Sequence, residues 1–208
     1  MITISAIIIS QGNIYEIGDR LLKIEFSGQD RSDILKPSWG IMSNSGFLEM
    51  FDSNGIMREL HKNGLLIDSK IRIRIALKKN KQIGEFYVSS FTNDSKTLIT
   101  KIGFRDILYE WSKKAMPKYI NRSFIIDGGS QTFYSAKEII DSIIKMADVS
   151  LRYQDEATKS YLQNINIPFA SLSEGSLWNQ MSKICEFSGC YIFCDKGGVP
   201  NIKYCGGT

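Results

Sequence analysis

The 208 residues predict an α+β chain, in which an antiparallel β-rich part precedes a smaller helical part that ends in a β-hairpin. Three observations carry this. Up to about residue 103, apolar residues recur at every second position in short runs divided by turn-forming residues, the pattern of half-buried antiparallel strands. From residue 106 onward the spacing becomes three and four, which marks an amphipathic helix. The last stretch returns to strand patterning on both sides of a glycine turn. The halves divide near 117–130, giving a β-barrel-like domain (barrel or sandwich) over 1–117 and an α+β domain with two to three helices over 118–208.

In the first half, Arg20 to Ser27 places Leu22, Ile24 and Phe26 on one face, with Lys23 and Glu25 on the other. Phe47 to Phe51 is a second strand, closed by the turn signal Asp52-Ser53-Asn54-Gly55. Ile56 to Lys62 reads as one or two helical turns. Lys70 to Leu77 alternates most clearly, with Ile71, Ile73, Ile75 and Leu77 opposed to Arg72 and Arg74. Ile83 to Phe91 and Thr97 to Gly103 continue the series, with turn-rich Ser90–Ser95 between them. Lys78-Lys79-Asn80-Lys81 is most simply a solvated hairpin tip.

In the second half, Asp106 to Ala115 puts Ile107, Leu108, Trp111 and Ala115 on one helical face, and Pro117 stops it. Ser135-Ala136-Lys137-Glu138 is a capping box, because the serine hydroxyl can accept from the Glu138 amide while the glutamate reaches back. Behind it Ile139, Ile140, Ile143, Ile144 and Ala147 form an apolar stripe. A further helix from about Ser176 to Phe187 buries Leu177, Met181, Ile184 and Cys185, and Gly189 supplies its left-handed stop. Cys190 to Cys194 and Val199 to Tyr204 flank Asp195-Lys196-Gly197-Gly198 as a hairpin. Pro200 cannot donate to a ladder, so the returning strand is expected to have a free edge there.

Composition bounds the function. The chain is 43% hydrophobic and 23% charged with a formal net charge of +4, an ordinary globular balance well short of a nucleic-acid footprint. No apolar run reaches the length of a membrane-spanning helix, and Met1-Ile2-Thr3-Ile4-Ser5 lacks the basic start of a secretory signal. All four cysteines lie in the last stretch (Cys185, Cys190, Cys194 and Cys205) rather than spread as a disulfide framework. Four thiolates can hold zinc, but the short knuckles of zinc sites are missing, and free cysteine packs as a small hydrophobe. No metal or other cofactor is therefore expected.

The single histidine, His61, stands in a polar stretch and reads as a surface residue rather than a catalytic base. Asp30 and Asp33, and the adjacent Asp155 and Glu156, are acidic neighbours of a kind that 22 acidic residues produce by chance. A carboxylate-pair glycan hydrolase is the least favoured reading. Phosphate-cradling glycine motifs are absent, and Asp52-Ser53-Asn54-Gly55 lacks the bidentate glutamate of a calcium loop.

Two blocks carry a family resemblance. The first is Leu35-Lys36-Pro37-Ser38-Trp39-Gly40-Ile41, the strand Phe47 to Phe51, and Gly64-Leu65-Leu66-Ile67-Asp68 leading into Lys70 to Ile75. The second is Trp178 to Gly189, running into Tyr191-Ile192-Phe193 and Asp195-Lys196-Gly197-Gly198. Together with Thr97 to Gly103 leading into Arg105-Asp106-Ile107-Leu108, they resemble baseplate hub and tail-associated (tail-tip) structural proteins of tailed phages and related injection machines. The likeness covers nearly the whole chain through degenerate motifs.

The resemblance implies a non-enzymatic virion structural protein, made in the host bacterial cytoplasm and working in the virion tail. It implies a homotrimeric ring that continues the tail tube, contacts tube, distal tail and spike or fibre proteins, and lets DNA pass without sequence-specific binding. On that reading Arg72 and Arg74 line the lumen or an intersubunit contact; a merely solvated face is the plain alternative. Family members usually continue beyond a hairpin like the one before Cys205-Gly206-Gly207-Thr208, so any lytic domain is expected outside these residues. The competing reading is a receptor- or carbohydrate-binding module of a tail, with Trp39 or Tyr15 as an exposed aromatic platform.

Overall fold

The computed structural model describes residues 3–27, 40–76, 80–117, 119–120, 134–167, 171–172 and 175–206. In chain order the first elements are β1 (Thr3–Ser10), β2 (Asn13–Glu16), β3 (Leu21–Ser27), β4 (Gly40–Met42), β5 (Ser45–Phe51), α1 (Ile56–Lys62), β6 (Lys70–Ala76), β7 (Asn80–Asp94) and β8 (Ile99–Arg105). Then follow α2 (Leu108–Lys113), β9 (Ala115–Met116), β10 (Tyr119–Ile120), α3 (Ala136–Ala147), β11 (Arg152–Tyr153) and α4 (Glu156–Asn164). The last are β12 (Ser171–Leu172), β13 (Gly175–Ser176), α5 (Leu177–Ser188), β14 (Cys190–Cys194) and β15 (Pro200–Tyr204). The chain divides into two compact units. One comprises Met1–Asp30, Ser43–Ile107 and Cys194–Gly198; the other comprises Arg31–Met42, Leu108–Phe193 and Val199–Thr208.

The first unit is built on a seven-stranded antiparallel sheet in the order β2-β1-β6-β7-β8-β5-β3. Period-two alternation sends Ile8, Ile71, Phe86, Ile102, Phe104 and Leu48 to one face, where all are buried. Met57 and Leu60 of α1, with Leu66 after it, join that core. The barrel expected for this half is corrected. Among the described residues the sheet is open, with β2 and β3 as its outer strands. The apolar face is covered by α1 and the Leu65–Leu66 segment instead of by the sheet closing on itself.

Two local expectations also change. The turn placed at Ser90–Ser95 lies later, because β7 runs to Asp94 and pairs with β8 from Ser90↔Gly103 to Asp94↔Ile99. Asp94 then holds the turn, its carboxylate accepting from the Lys96 amide (2.9 Å) and the Thr97 hydroxyl (2.8 Å). The N-terminal strand β1, which the sequence reading passed over, is a central strand between β2 and β6.

In the second unit α3 starts on the expected capping box. Ser135 Oγ accepts from the Glu138 amide at 3.3 Å, and Glu138 Oε2 accepts from the Ser135 amide at 2.9 Å. Its Ile139, Ile140 and Ile143 are buried, as are Met181, Ile184 and Cys185 of α5. Gly189 ends α5 at φ 65°. The helix α4 was not read from the sequence; Asp155 caps it, accepting from the Thr158 amide at 2.7 Å. The C-terminal hairpin strands sit in a four-stranded sheet ordered β11-β15-β14-β4. The free edge expected at Pro200 is confined to that position, since β11 pairs with β15 only at Asn201 and Ile202. β15 is an inner strand that pairs with β11 from Asn201↔Arg152, and Pro200 occupies its first position, where no ladder donor is needed.

Candidate functional site

The outer face of the seven-stranded sheet is where the sequence placed its charged candidates, and strand register fixes their neighbours. On β6, Arg72 stands opposite Glu85 of β7 on one side and Ile7 of β1 on the other; Lys70 stands opposite Tyr87 and Ile9. Arg72 Nε donates to Glu85 Oε2 at 2.7 Å, and Lys70 Nζ donates to Glu85 Oε1 at 2.9 Å. The Lys70 ammonium also lies 5.8 Å from the centre of the Tyr87 ring. Burial by itself would raise the Glu85 pKa, but the hydrogen bonds from Lys70 and Arg72 outweigh it and hold the carboxyl below its usual range. Only 12% of the Glu85 side chain is exposed, against 37% for Arg72. Arg72 is thus anchored within the sheet yet still reaches solvent. Beside it a depression of about 270 Å³ is lined by Ile7, Glu16, Asp19, Arg20 and Arg72.

Arg74 stands opposite Gln82 and Ser5 in the register, beside an irregularity between Ile73 and Arg74. Its side chain lies outside the described residues, and so does the whole of Trp39. Tyr15, the other aromatic candidate, is partly buried and packs against the sheet core, so it offers no open stacking platform.

Further along the same face, β8 presents Lys101, Gly103 and Arg105 between β7 and β5. Lys101 Nζ sits 3.5 Å from the centre of the Phe47 ring and 3.8 Å from Glu49 Oε1. Lys23 lies 5.4 Å from the same ring and pairs with Glu25. A bulge between Val88 and Ser90 disturbs the β7–β8 register opposite Gly103. A depression of about 290 Å³ opens there, lined by Ser45, Phe47, Ser89, Ser90, Lys101 and Arg105, among others. The sequence reading did not single out this Lys-x-Gly-x-Arg strand face. Its alternation was the available signal, and the two serines that complete it come from a bulge no periodicity announces.

The remaining sequence candidates have structural tasks. Asp52 is fully buried and caps α1, accepting from the Met57 and Arg58 amides at 3.3 and 3.2 Å. His61 stacks on Phe91 with ring centroids 4.3 Å apart. Asp155 caps α4, and Glu156 pairs with Lys159 at 3.4 Å; Asp30 and Asp33 lie outside the described residues. Cys185 is completely buried, and burial pushes its thiol well above the ordinary value. Burial likewise pushes Cys190 up to about 11. Burial favours the neutral thiol at both positions, as it does for a packed cysteine. Among the described residues no group of three or more His, Cys, Asp or Glu side chains could hold a metal ion. No helix among them is long and apolar enough to cross a membrane.

No family model matches the chain, and no curated protein does. Solved structures do share its fold. A 43 kDa tail protein of prophage MuSo2 from Shewanella oneidensis superposes with a TM-score of 0.58 at 12% identity, over 99% of this chain and 57% of its own. The tail protein from Neisseria meningitidis MC58 gives 0.54 at 10% identity, over 97% and 51%. Prophage tail protein gp18 from Listeria monocytogenes EGD-e gives 0.54 at 12% identity, over 96% and 50%. The chain therefore spans between half and three-fifths of the length of these proteins.

Proposed function

We propose that this chain is a structural part of a phage or phage-like tail, working in the baseplate hub or tail tip by assembly with copies of itself and with neighbouring tail proteins. The observation that carries the reading is the fold likeness to three prophage tail proteins, which extends over 96% or more of the chain. The first unit has a surface suited to assembly. Among the described residues its outer strands β2 and β3 each pair on one side only, and they carry Ile14 at 63% exposure and Leu22 at 58%. Unpaired strand edges with exposed apolar side chains are a template for joining another chain.

On this reading three copies form a ring continuous with the tail tube, DNA passes through it, and the spike or fibre attaches below. Arg72 and Arg74 of β6 line a contact between copies or the lumen. The task is mechanical, with no turnover, and the place of work is the virion tail. In keeping with this, the carboxylates of buried Asp52 and exposed Asp155 are both engaged as helix caps.

The test is absolute mass by light scattering across protein concentration, with negative-stain images of the largest species. The expected result is a closed trimer with a central opening, which Leu22→Lys on the β3 edge dissociates. A monomer at every concentration overturns the ring.

A further inference from the structure

The outward face of β8 carries a gap with cations on both sides. Lys101, Gly103 and Arg105 share that face, so each charged residue stands two positions, roughly 7 Å along the strand, from a position without a side chain. The β7 bulge turns two hydroxyls into the gap. A Cβ added at Gly103 would collide with Ser90 Oγ and meet Ser89 Oγ at 3.5 Å. Ser45 and Thr92 complete a depression of about 290 Å³, and among the described residues that line it none is acidic. The depression beside Arg72 differs in kind, since Glu16 and Asp19 line it with the arginines.

We propose that the Gly103 notch is an oxyanion-binding site, taking a tetrahedral phosphate or sulfate group. The two cations supply charge-assisted donors from opposite ends, and the serine and threonine hydroxyls supply rotatable donors from the side. A tetrahedral oxyanion has acceptor oxygens in all of those directions; a flat carboxylate has two. Lys101 can turn to such a guest by giving up only a long ion pair, since Glu49 at 3.8 Å is beyond hydrogen-bond distance, and its contact with the Phe47 ring. Gly103 is required because any side chain would occupy the space where Ser89 and Ser90 converge. The site is independent of the tail reading and stands or falls by its own test.

The 208-residue chain is titrated with inorganic phosphate at constant ionic strength while backbone amide shifts are followed by NMR. Saturable changes centred on Ser90, Gly103 and Lys101 are expected, with sulfate equivalent and acetate weaker. Lys101→Met should weaken binding about tenfold, the loss of one charge-assisted hydrogen bond, with the melting curve showing that the variant folds. Glu49→Gln should tighten it, since the competing carboxylate is gone. Shifts that are absent or scattered over all lysines, an unchanged affinity in Lys101→Met, or weaker binding in Glu49→Gln would each overturn the proposal.

Discussion

At the scale of single residues, Glu85 organises the charged face. Its carboxylate takes both Lys70 and Arg72 while the rest of its side chain is shielded by the sheet, so removing its charge leaves two cations facing each other two positions apart. Glu85→Gln should cost about 1 kcal/mol at neutral pH, below the range of a fully buried charged hydrogen bond because Lys70 and Arg72 are partly solvated, read by urea denaturation. The pH dependence has a definite sign. The folded pKa of Glu85 is depressed, so its contribution is present above the unfolded carboxylate pKa and is lost as pH falls through the lower folded value. The difference between wild type and Glu85→Gln should therefore shrink as the solution is acidified through the carboxylate range. A difference that is constant with pH would rule out the charge as its source. Alternation alone had marked Arg72 as an outward residue. Its partner was invisible until register set Glu85, thirteen residues later, directly opposite.

At the scale of elements, caps decide where helices begin, and they were the most legible feature. The Ser135–Glu138 box is reciprocal in the structure, and Gln163 adds a bond to Ser135 Oγ at 3.3 Å. Ser135→Ala should destabilise the protein by about 1 kcal/mol, with the loss visible as faster amide exchange in the first turn of α3. Gly189 ends α5 in the left-handed region, so Gly189→Ala should cost on the order of 1 kcal/mol in the melting midpoint rather than be neutral. Strand limits were less legible. Ser90 to Asp94 has strong turn propensity, yet the β8 ladder, with the Thr100 hydroxyl bonded to Asn93 Oδ1 at 2.9 Å, extends β7 through it. The helix α4 was missed for a related reason. Its buried residues are few, only Thr158 and Leu162, so it shows little periodicity.

At the scale of the molecule, each unit keeps its own core. In the first, Phe104 sits fully buried against Phe86, with ring centroids 4.9 Å apart, on the face that α1 covers. Phe104→Ala should cost about 3–5 kcal/mol, measured as a fall in the urea midpoint, whereas Phe47→Ala on the outward face should cost far less. Equal losses would mean that the two faces are not distinguished as the buried positions indicate.

Much of this architecture was written in local pattern. Alternation at period two, the shift to helical spacing, a capping box and a glycine stop need only neighbours a few residues away, so β6, α1, α3, α5 and the C-terminal hairpin followed from order alone. Whether the first sheet closed, which strand ran down its middle and which stood at its edge did not follow. Those depend on pairings between residues dozens of positions apart, and the same alternating faces suit a barrel or an open sheet capped by α1. The Gly103 notch belongs with these, since it exists only where a bulge in β7 meets a glycine in β8 across the ladder.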